Sequence, residues 1–393
     1  MPFSNLLLIH PLLGPDDAWS GYLVEAGSRS EVAGESIKHL CAHPGLKDFD
    51  KRHPWFLPAT TTSSIETPLG DRAVTVFPAN PATDSVAALK RLEESLRQAR
   101  CKVGLAAEPG RPLPGTGAWD YLIITCSHAR TLPPFTLHGM SSQTTILATG
   151  VHSHADHDWT LANACSLVST EFLLTRAVPG KKADMTRVKL LEMLSLIAAD
   201  APTEEIEAVL RQEPKLSYSL LRLVNSAANA PRSPITSFSQ AINLLGRRQL
   251  QRWLQLLVYA DPNNGQQPNP LLQKAAARGR LMELLASQLA PRPAIEGLED
   301  TAFMVGAFSL LDILLNMSMS EILQQLPLPP AAQAALIDCA GPFGNLLGAI
   351  RSADSRDHAG TAKQLKPTGL TAQHWLDSQL SALGWAARIH PAN

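Results

Sequence analysis

No C-x-x-C pair occurs among the five cysteines (Cys41, Cys101, Cys126, Cys165 and Cys339), which are scattered and odd in number. Neither a zinc knuckle nor a disulfide framework is expected. The chain has no excess charge of either sign: 34 Lys and Arg against 35 Asp and Glu leave a formal net charge of -1. That excludes a strongly basic nucleic-acid binder and removes any steering toward polyanions or an anionic membrane surface. The glycines form no G-x-x-x-x-G-K and no G-x-G-x-x-G, and no serine sits in a G-x-S-x-G elbow. Nucleoside-triphosphate loops, dinucleotide loops and α/β-hydrolase nucleophiles are therefore not indicated. The opening run MPFSNLLLIHPLLG lacks a basic n-region and a small-residue cleavage site, which predicts a first β-strand rather than a signal peptide. The longest apolar stretch, TAFMVGAFSLLDILLNMSM, carries Asp312 near its centre. It predicts a buried core helix, not a membrane span, with the cytoplasm as the expected location and no membrane partner.

What is present is a chain of 393 residues, 45% hydrophobic, which predicts two domains. Up to about residue 180 short apolar runs recur: NLLLIHPLL, RAVTVFPAN, KVGLAAE, DYLIITCS and TTILATGV. Between them, Val86, Leu89, Leu92 and Leu96 repeat at helical spacing. Apolar strands alternating with helices predict an α/β layout with a parallel sheet, in barrel form as one option. From Asp184 onward the pattern is helical. Val188, Leu191, Leu194 and Ile197 share a stripe, and Leu250, Trp253, Leu254 and Leu257 recur at i, i+3, i+4, i+7. Ser237 and Gln240 predict a capping box, with Gly246 as the stop of that helix. Two further helices are expected over Leu271–Leu289 and Asp300–Leu315, and Trp375 and Trp385 as anchors of a last helix. The expected fold class is α/β plus all-α, with domains at 1–180 and 181–393 and a hinge near Val178 to Lys182.

One stretch carries a catalytic signature. In ATGVHSHADHDW, His152, His154, Asp156 and His157 spell H-x-H-x-D-H, the zinc-binding turn of the metallo-β-lactamase family. That family closes its metal shells with later histidines, yet none lies between His157 and His358. A polar surface turn is the preferred reading, a zinc-dependent hydrolase a minor alternative, and adventitious zinc or nickel binding the residual role of these four residues.

The stretch PKLSYSLLRLVNSAANAPRSPITSFSQAINLLGRRQLQRWLQLLVY, residues 214–259, resembles the HDOD family, metal-free relatives of the HD phosphohydrolases found in bacterial signalling proteins. The ordered set Pro214, Leu216, Asn225, Ser226, Pro234, Ile235, Ser237, Ala241, Ile242, Leu245, Gly246 and Trp253 carries the resemblance. RGRLMELLA and the run through Gly306 and Asp312 continue it. In GAFSLLD, Ser309 stands near where an HD hydrolase shows its metal-binding pair, and Asp312 alone builds no site. Asn225 and Ser226 are expected to fold the chain back through hydrogen bonds to backbone. Arg247, Arg248 and Arg252 are read as a solvated helix face in preference to a phosphate contact.

The first half resembles an EAL domain, the cyclic-di-GMP phosphodiesterase fold. KVGLAAEPG is similar to the family's strand ending in paired aspartates, with Ala106 and Ala107 at those positions. DYLIITCS is similar to D-x-x-K-x-D, with Ile123 and Thr125 replacing the lysine and second aspartate. TTILATGVHS is similar to L-A-E-x-V-E, with Thr149 and His152 replacing both glutamates. Near GYLVEAG the signature glutamate is out of register, though Glu25 lies close by. The resemblance implies a TIM-barrel-like scaffold stripped of the carboxylates that hold two divalent ions and activate water.

Together these imply a degenerate EAL-type domain followed by an HDOD bundle. The expectation is a cytoplasmic bacterial regulatory protein that is not an enzyme, a pseudo-phosphodiesterase. It would act by docking other signalling proteins in a cyclic-di-GMP, motility or two-component pathway. No cofactor, no catalytic residue and no nucleic-acid partner are expected. The alternative is a catalytically dead cyclic-di-GMP receptor.

Overall fold

A computed structural model describes residues 3, 6–27, 31–60, 68–176, 192–196, 199, 201–212, 214–226, 234–259, 269–326 and 328–389. The chain divides into two compact units. The first comprises Met1–Thr175 with Ser352–Ala362 and Thr371–Asp377; the second comprises Arg176–Arg351, Lys363–Leu370 and Ser378–Asn393. The two late segments of the first unit had no signal in the sequence. The expected hinge at Val178 to Lys182 and most of the helix expected around Val188 to Ile197 lie outside the described residues.

The first unit is built on eight strands. In chain order they and their helices are β1 (Leu7–Leu13), β2 (Trp19–Ala26), α1 (Glu31–Cys41), β3 (Trp55–Pro58), β4 (Ala73–Pro78), α2 (Val86–Gln98), β5 (Lys102–Ala106), β6 (Tyr121–Thr125), α3 (Cys126–Ala129), α4 (Thr136–Met140), β7 (Thr145–Thr149), α5 (His154–Ala162) and β8 (Leu167–Ser169). They close into a barrel in that order. The sheet is parallel from β2 to β8, but β1 runs antiparallel to both β2 and β8. The reason lies in the connection 14–18. It is too short for the crossover that a parallel pair requires, so β1 and β2 form a hairpin.

Period-two alternation aims one set of side chains inward. Leu12, Leu23, Phe56, Val74, Ile123, Leu147 and Leu167, each from a different strand, form the barrel's inner cluster. Each such burial stabilises the fold by roughly 1.5–3 kcal/mol. On the outside, Leu89 and Leu96 of α2 pack on Phe77 and Val103. Val86, expected on the same stripe, is exposed at the first turn. Trp375, from the late segment 371–377, is fully buried and donates its Nε1–H to the Leu7 carbonyl at 3.2 Å.

The second unit is helical. Its elements begin with α6 (Thr203–Gln212), α7 (Pro214–Val224), α8 (Phe238–Leu257), α9 (Pro270–Ala286), α10 (Leu298–Phe308), α11 (Leu311–Leu315), α12 (Met319–Gln325) and α13 (Pro330–Asp338); α14 (Gly341–Asp354), α15 (His358–Leu365) and α16 (Ala372–Ala387) complete the chain. At Ser237 the hydroxyl accepts from Gln240 N–H at 3.1 Å, while the Gln240 side chain accepts from Thr236 N–H at 2.8 Å. The α8 cap is thus formed as expected, with its return bond shifted by one residue. Gly246 (φ 73°, ψ 158°) breaks α8 without ending it: the chain turns there and the helix resumes. This backbone conformation favours glycine.

The single helix expected over 300–315 is two. Ser309 donates to the Gly306 carbonyl at 2.7 Å and accepts from the buried Arg278 guanidinium at 2.9 Å. Those bonds replace the helical ladder at the junction of α10 and α11. α9 and α10 approach so closely that a Cβ on Gly306 would lie 2.5 Å from the Arg278 carbonyl oxygen. All residues of α10 but Glu299 and Asp300 are buried, as expected of a core helix. Trp385 packs against Trp253 at 5.7 Å between ring centroids. Among the described residues no single helix is long and apolar enough to cross a membrane.

Candidate site at the carboxyl rim of the barrel

The carboxyl ends of parallel strands open onto one rim of a barrel, where loops rather than packed side chains fill the space. Here that rim holds a cavity of about 510 Å³. The ends of β2, β3, β4, β5 and β7 contribute Glu25, Pro58, Pro78, Ala106 and Thr149 to its wall. Phe56, Val76 and Ile123 make it apolar beneath, and Arg356 and His358, from the late segment 352–362, complete it.

Glu25 is the centre of its charge. Arg356 Nη1 donates to Glu25 Oε1 at 2.7 Å, and Arg356 Nη2 lies 2.6 Å from Oε1 of Glu171, in the turn after β8. His10 Nε2, on buried β1, lies 3.5 Å from Glu25 Oε2, and His358 Nε2 lies 3.4 Å from the Glu25 carbonyl. Burial pushes the Glu25 carboxyl up, but His10 and the charges of Arg356 and His358 outweigh it and hold the group at about 2. It is therefore a carboxylate throughout the physiological range. Arg356 carries its guanidinium from a left-handed backbone position (φ 60°) just beyond α14. For a residue with a Cβ that conformation costs roughly 1–2 kcal/mol. The pair with two carboxylates offsets it.

The positions singled out by the EAL resemblance divide. Ala106, Ile123 and Thr149 gather on the cavity wall, whereas Thr125 and His152 are exposed. The H-x-H-x-D-H residues do not converge. Ser153 caps α5, its hydroxyl accepting from Asp156 N–H at 3.0 Å and donating to Asp156 Oδ2 at 2.9 Å. Asp156 also pairs with Arg130 at 2.8 Å. His157 is buried, stacked on Phe172 at 4.2 Å and 3.2 Å from Asp17 Oδ1. His152 and His154 are exposed. The stretch is a capped helix start. Among the described residues no group of three His, Cys, Asp or Glu side chains is placed to hold a metal ion.

In the helical unit the HDOD signature residues are structural in their contacts. Asn225 Nδ2 donates to the Leu221 and Ile235 carbonyls, and its Oδ1 accepts from Ile235 N–H, each at 2.7 Å. It clasps the end of α7 to the chain ten residues on, the backbone role expected of it. Ser226, Ile235 and Trp253 are buried, and Pro234 and Gly246 are exposed. Asp312 lies 3.4 Å from Arg176. The basic cluster departs from the expected solvated face. Arg248 pairs with Asp300 at 2.6 Å, and Arg252, largely buried, pairs with Glu283 and with Asp300. Those acids lie on α9 and α10, distant in sequence, and so were invisible to a local reading.

Arg356, His358 and Glu171 were not anticipated as site residues. Arg356 reaches Glu25 from 331 residues away, a separation no local motif spans.

Comparison with known proteins matches part of the helical unit to a family. Residues 186–326 match the HDOD domain family. The cyclic di-GMP phosphodiesterase CdgJ of Vibrio cholerae is 29% identical over 185 residues, covering 47% of this chain and 42% of CdgJ. The uncharacterized protein YuxH of Bacillus subtilis is 27% identical over 221 residues, covering 55% of this chain and 52% of YuxH. The matched region thus spans about half the length of either relative. The FimX EAL domain has a TM-score of 0.32 at 13% identity, over 43% of this chain and 89% of that domain. The expectation that the chain is not an enzyme is corrected here: CdgJ, a relative of the chain, is named a phosphodiesterase. Loss of individual carboxylates, read from strand ends alone, did not bear that conclusion. The chain thus joins a closed eight-stranded α/β barrel to a helical region of which residues 186–326 match the HDOD domain family.

Proposed function

We propose that the chain acts in cyclic-di-GMP signalling by taking the dinucleotide at the carboxyl rim of its barrel, with the helical unit docking a protein partner. One observation carries this reading: a cavity at that rim in which the Glu25 carboxylate, the Arg356 guanidinium and the His358 imidazole stand over an apolar floor. Cavities of this size and mixture suit a small ligand with both planar apolar and polar surface. The name of CdgJ supports the phosphodiester of cyclic-di-GMP as the bond acted on. Glu25, held as a carboxylate by Arg356, and the imidazoles of His10 and His358 beside it are ionisable groups placed together near this rim.

The test is calorimetric titration of the full chain with cyclic-di-GMP, followed by chromatography of the same mixtures after incubation with magnesium or manganese. Saturable binding that weakens in Glu25→Gln is expected, with linear dinucleotide as the product. A flat titration together with unchanged nucleotide would overturn the proposal. For the docking role, the full chain serves as bait with and without the dinucleotide. Capture that ignores the nucleotide, or no specific capture at all, would remove it.

A further inference from the structure

The EAL resemblance implies divalent ions held by carboxylates at the strand ends, and the side chains found at this rim do not fit that role. Ala106, Ile123 and Thr149 stand on the cavity wall, and none of the three carries a carboxylate or an imidazole. Among the described residues no three His, Cys, Asp or Glu side chains converge on a point where an ion would sit.

Two carboxylates do stand near the rim, on Glu25 at the end of β2 and on Glu171 after β8, and a cation already lies between them. Arg356 Nη1 donates to Glu25 Oε1 at 2.7 Å, and Nη2 lies 2.6 Å from Glu171 Oε1. One guanidinium thus faces an oxygen of each acid. The side chains of Glu25, Arg356 and Glu171 are 26%, 23% and 12% exposed, so water and salt screen this attraction only in part. Taking the guanidinium away would leave two partly buried like charges without a partner, a costly arrangement that another cation relieves.

The guanidinium also differs from a dissolved ion in how it leaves. It is carried by the late segment 352–362 from a left-handed backbone position (φ 60°). It vacates the carboxylates only when that side chain swings out or the segment moves.

We infer that Arg356 is a resident cation that bars divalent ions from the rim. It saturates Glu25 and Glu171, and magnesium or manganese gains these acids only in competition with it. The contact is therefore autoinhibitory toward any metal-assisted step at the cavity, and release of Arg356 is what would admit the ion. This holds whichever ligand the cavity takes.

The experiment titrates the full chain with manganese alone, without nucleotide, by calorimetry and by the electron-spin-resonance signal of free manganese. Wild type, Glu25→Gln, Arg356→Gln and the double variant are compared, with circular-dichroism melting of each to establish folding. Wild type and Glu25→Gln should show the same weak uptake. Arg356→Gln should bind manganese at least about tenfold more tightly than wild type, and adding Glu25→Gln should abolish that gain. Manganese bound by wild type and lost in folded Glu25→Gln overturns the inference, and this comparison does not require the Arg356 variant to fold. So does a folded Arg356→Gln with no gain, or a gain that survives Glu25→Gln. Because no nucleotide is present, failure of cyclic-di-GMP to bind in the earlier titration would leave this result standing.

Discussion

Replacing Asn225 by alanine removes a clasp whose contribution follows from its geometry. The side chain makes three bonds of 2.7 Å, two of them to the N–H and carbonyl of Ile235, a residue 2% exposed. The Leu221 carbonyl keeps its helical partner, Asn225 N–H, so the loss falls on Ile235. A buried backbone group left unpaired costs about 1–3 kcal/mol, which puts the pair of them at about 3 kcal/mol after partial resolvation. For a unit of this size that is a fall in Tm of roughly 6–12 °C. Asn225→Asp keeps the acceptor for Ile235 N–H but loses the donor, so it should cost roughly half as much. Scanning calorimetry of the full chain reads the helical unit's transition, and amide exchange at Ile235 reads the clasp directly. A loss under about 1 kcal/mol for Asn225→Ala, with Ile235 still protected, would refute the structural role assigned here.

Gly306→Ala drives a Cβ into the Arg278 carbonyl, and denaturant titration should show a loss of about 3 kcal/mol; a neutral outcome would mean that α9 and α10 are not this close. The Glu25 carboxyl is lowered from 4.5 to about 2 in the folded chain, so its stabilisation is fully present above pH 4.5 and is lost as the pH falls toward 2. The amount is at most about 3 kcal/mol. Glu25→Gln should flatten the acid limb of the pH–stability profile, and an unchanged limb contradicts the ion pair. His157→Ala should cost about 2 kcal/mol through loss of its stack on Phe172, whereas exposed His152→Ala should stay within about 0.5 kcal/mol. Equal losses in both, or a melting point lowered by chelator, would restore the metal-binding turn.

Strands β1, β4, β5, β6 and β7 were legible because each is a mostly apolar run with a buried centre. β3 and β8, with four and three residues, are too short to show a period. The antiparallel start was encoded in the short connection 14–18, not in the strands it joins. The helical half was readable from caps and stripes, except where side chains override the pattern: Ser309 splits a helix that its apolar neighbours would continue. For the site, alignment of strand ends brought Ala106, Ile123 and Thr149 to the right wall. It could not find Arg356, because the cation arrives from the far end of the chain. H-x-H-x-D-H, read as a polar turn in preference to a zinc site, is the opposite case: all its information is local, and a serine cap ties the aspartate to the helix start.

Barrel closure gives Arg356 a second consequence. β8 is the least secured strand, paired over two positions with β1 and over two with β7. A barrel that parts at β8 would bare two unpaired sheet edges, each a template for another chain. Glu171 follows β8 by two residues, and its partner is the Arg356 guanidinium. The contact that shapes the cavity is thus also a latch on the seam. Anything that draws Arg356 toward a ligand should loosen β8, registered as faster amide exchange at Val168 and Ser169 and a greater tendency of the chain to self-associate.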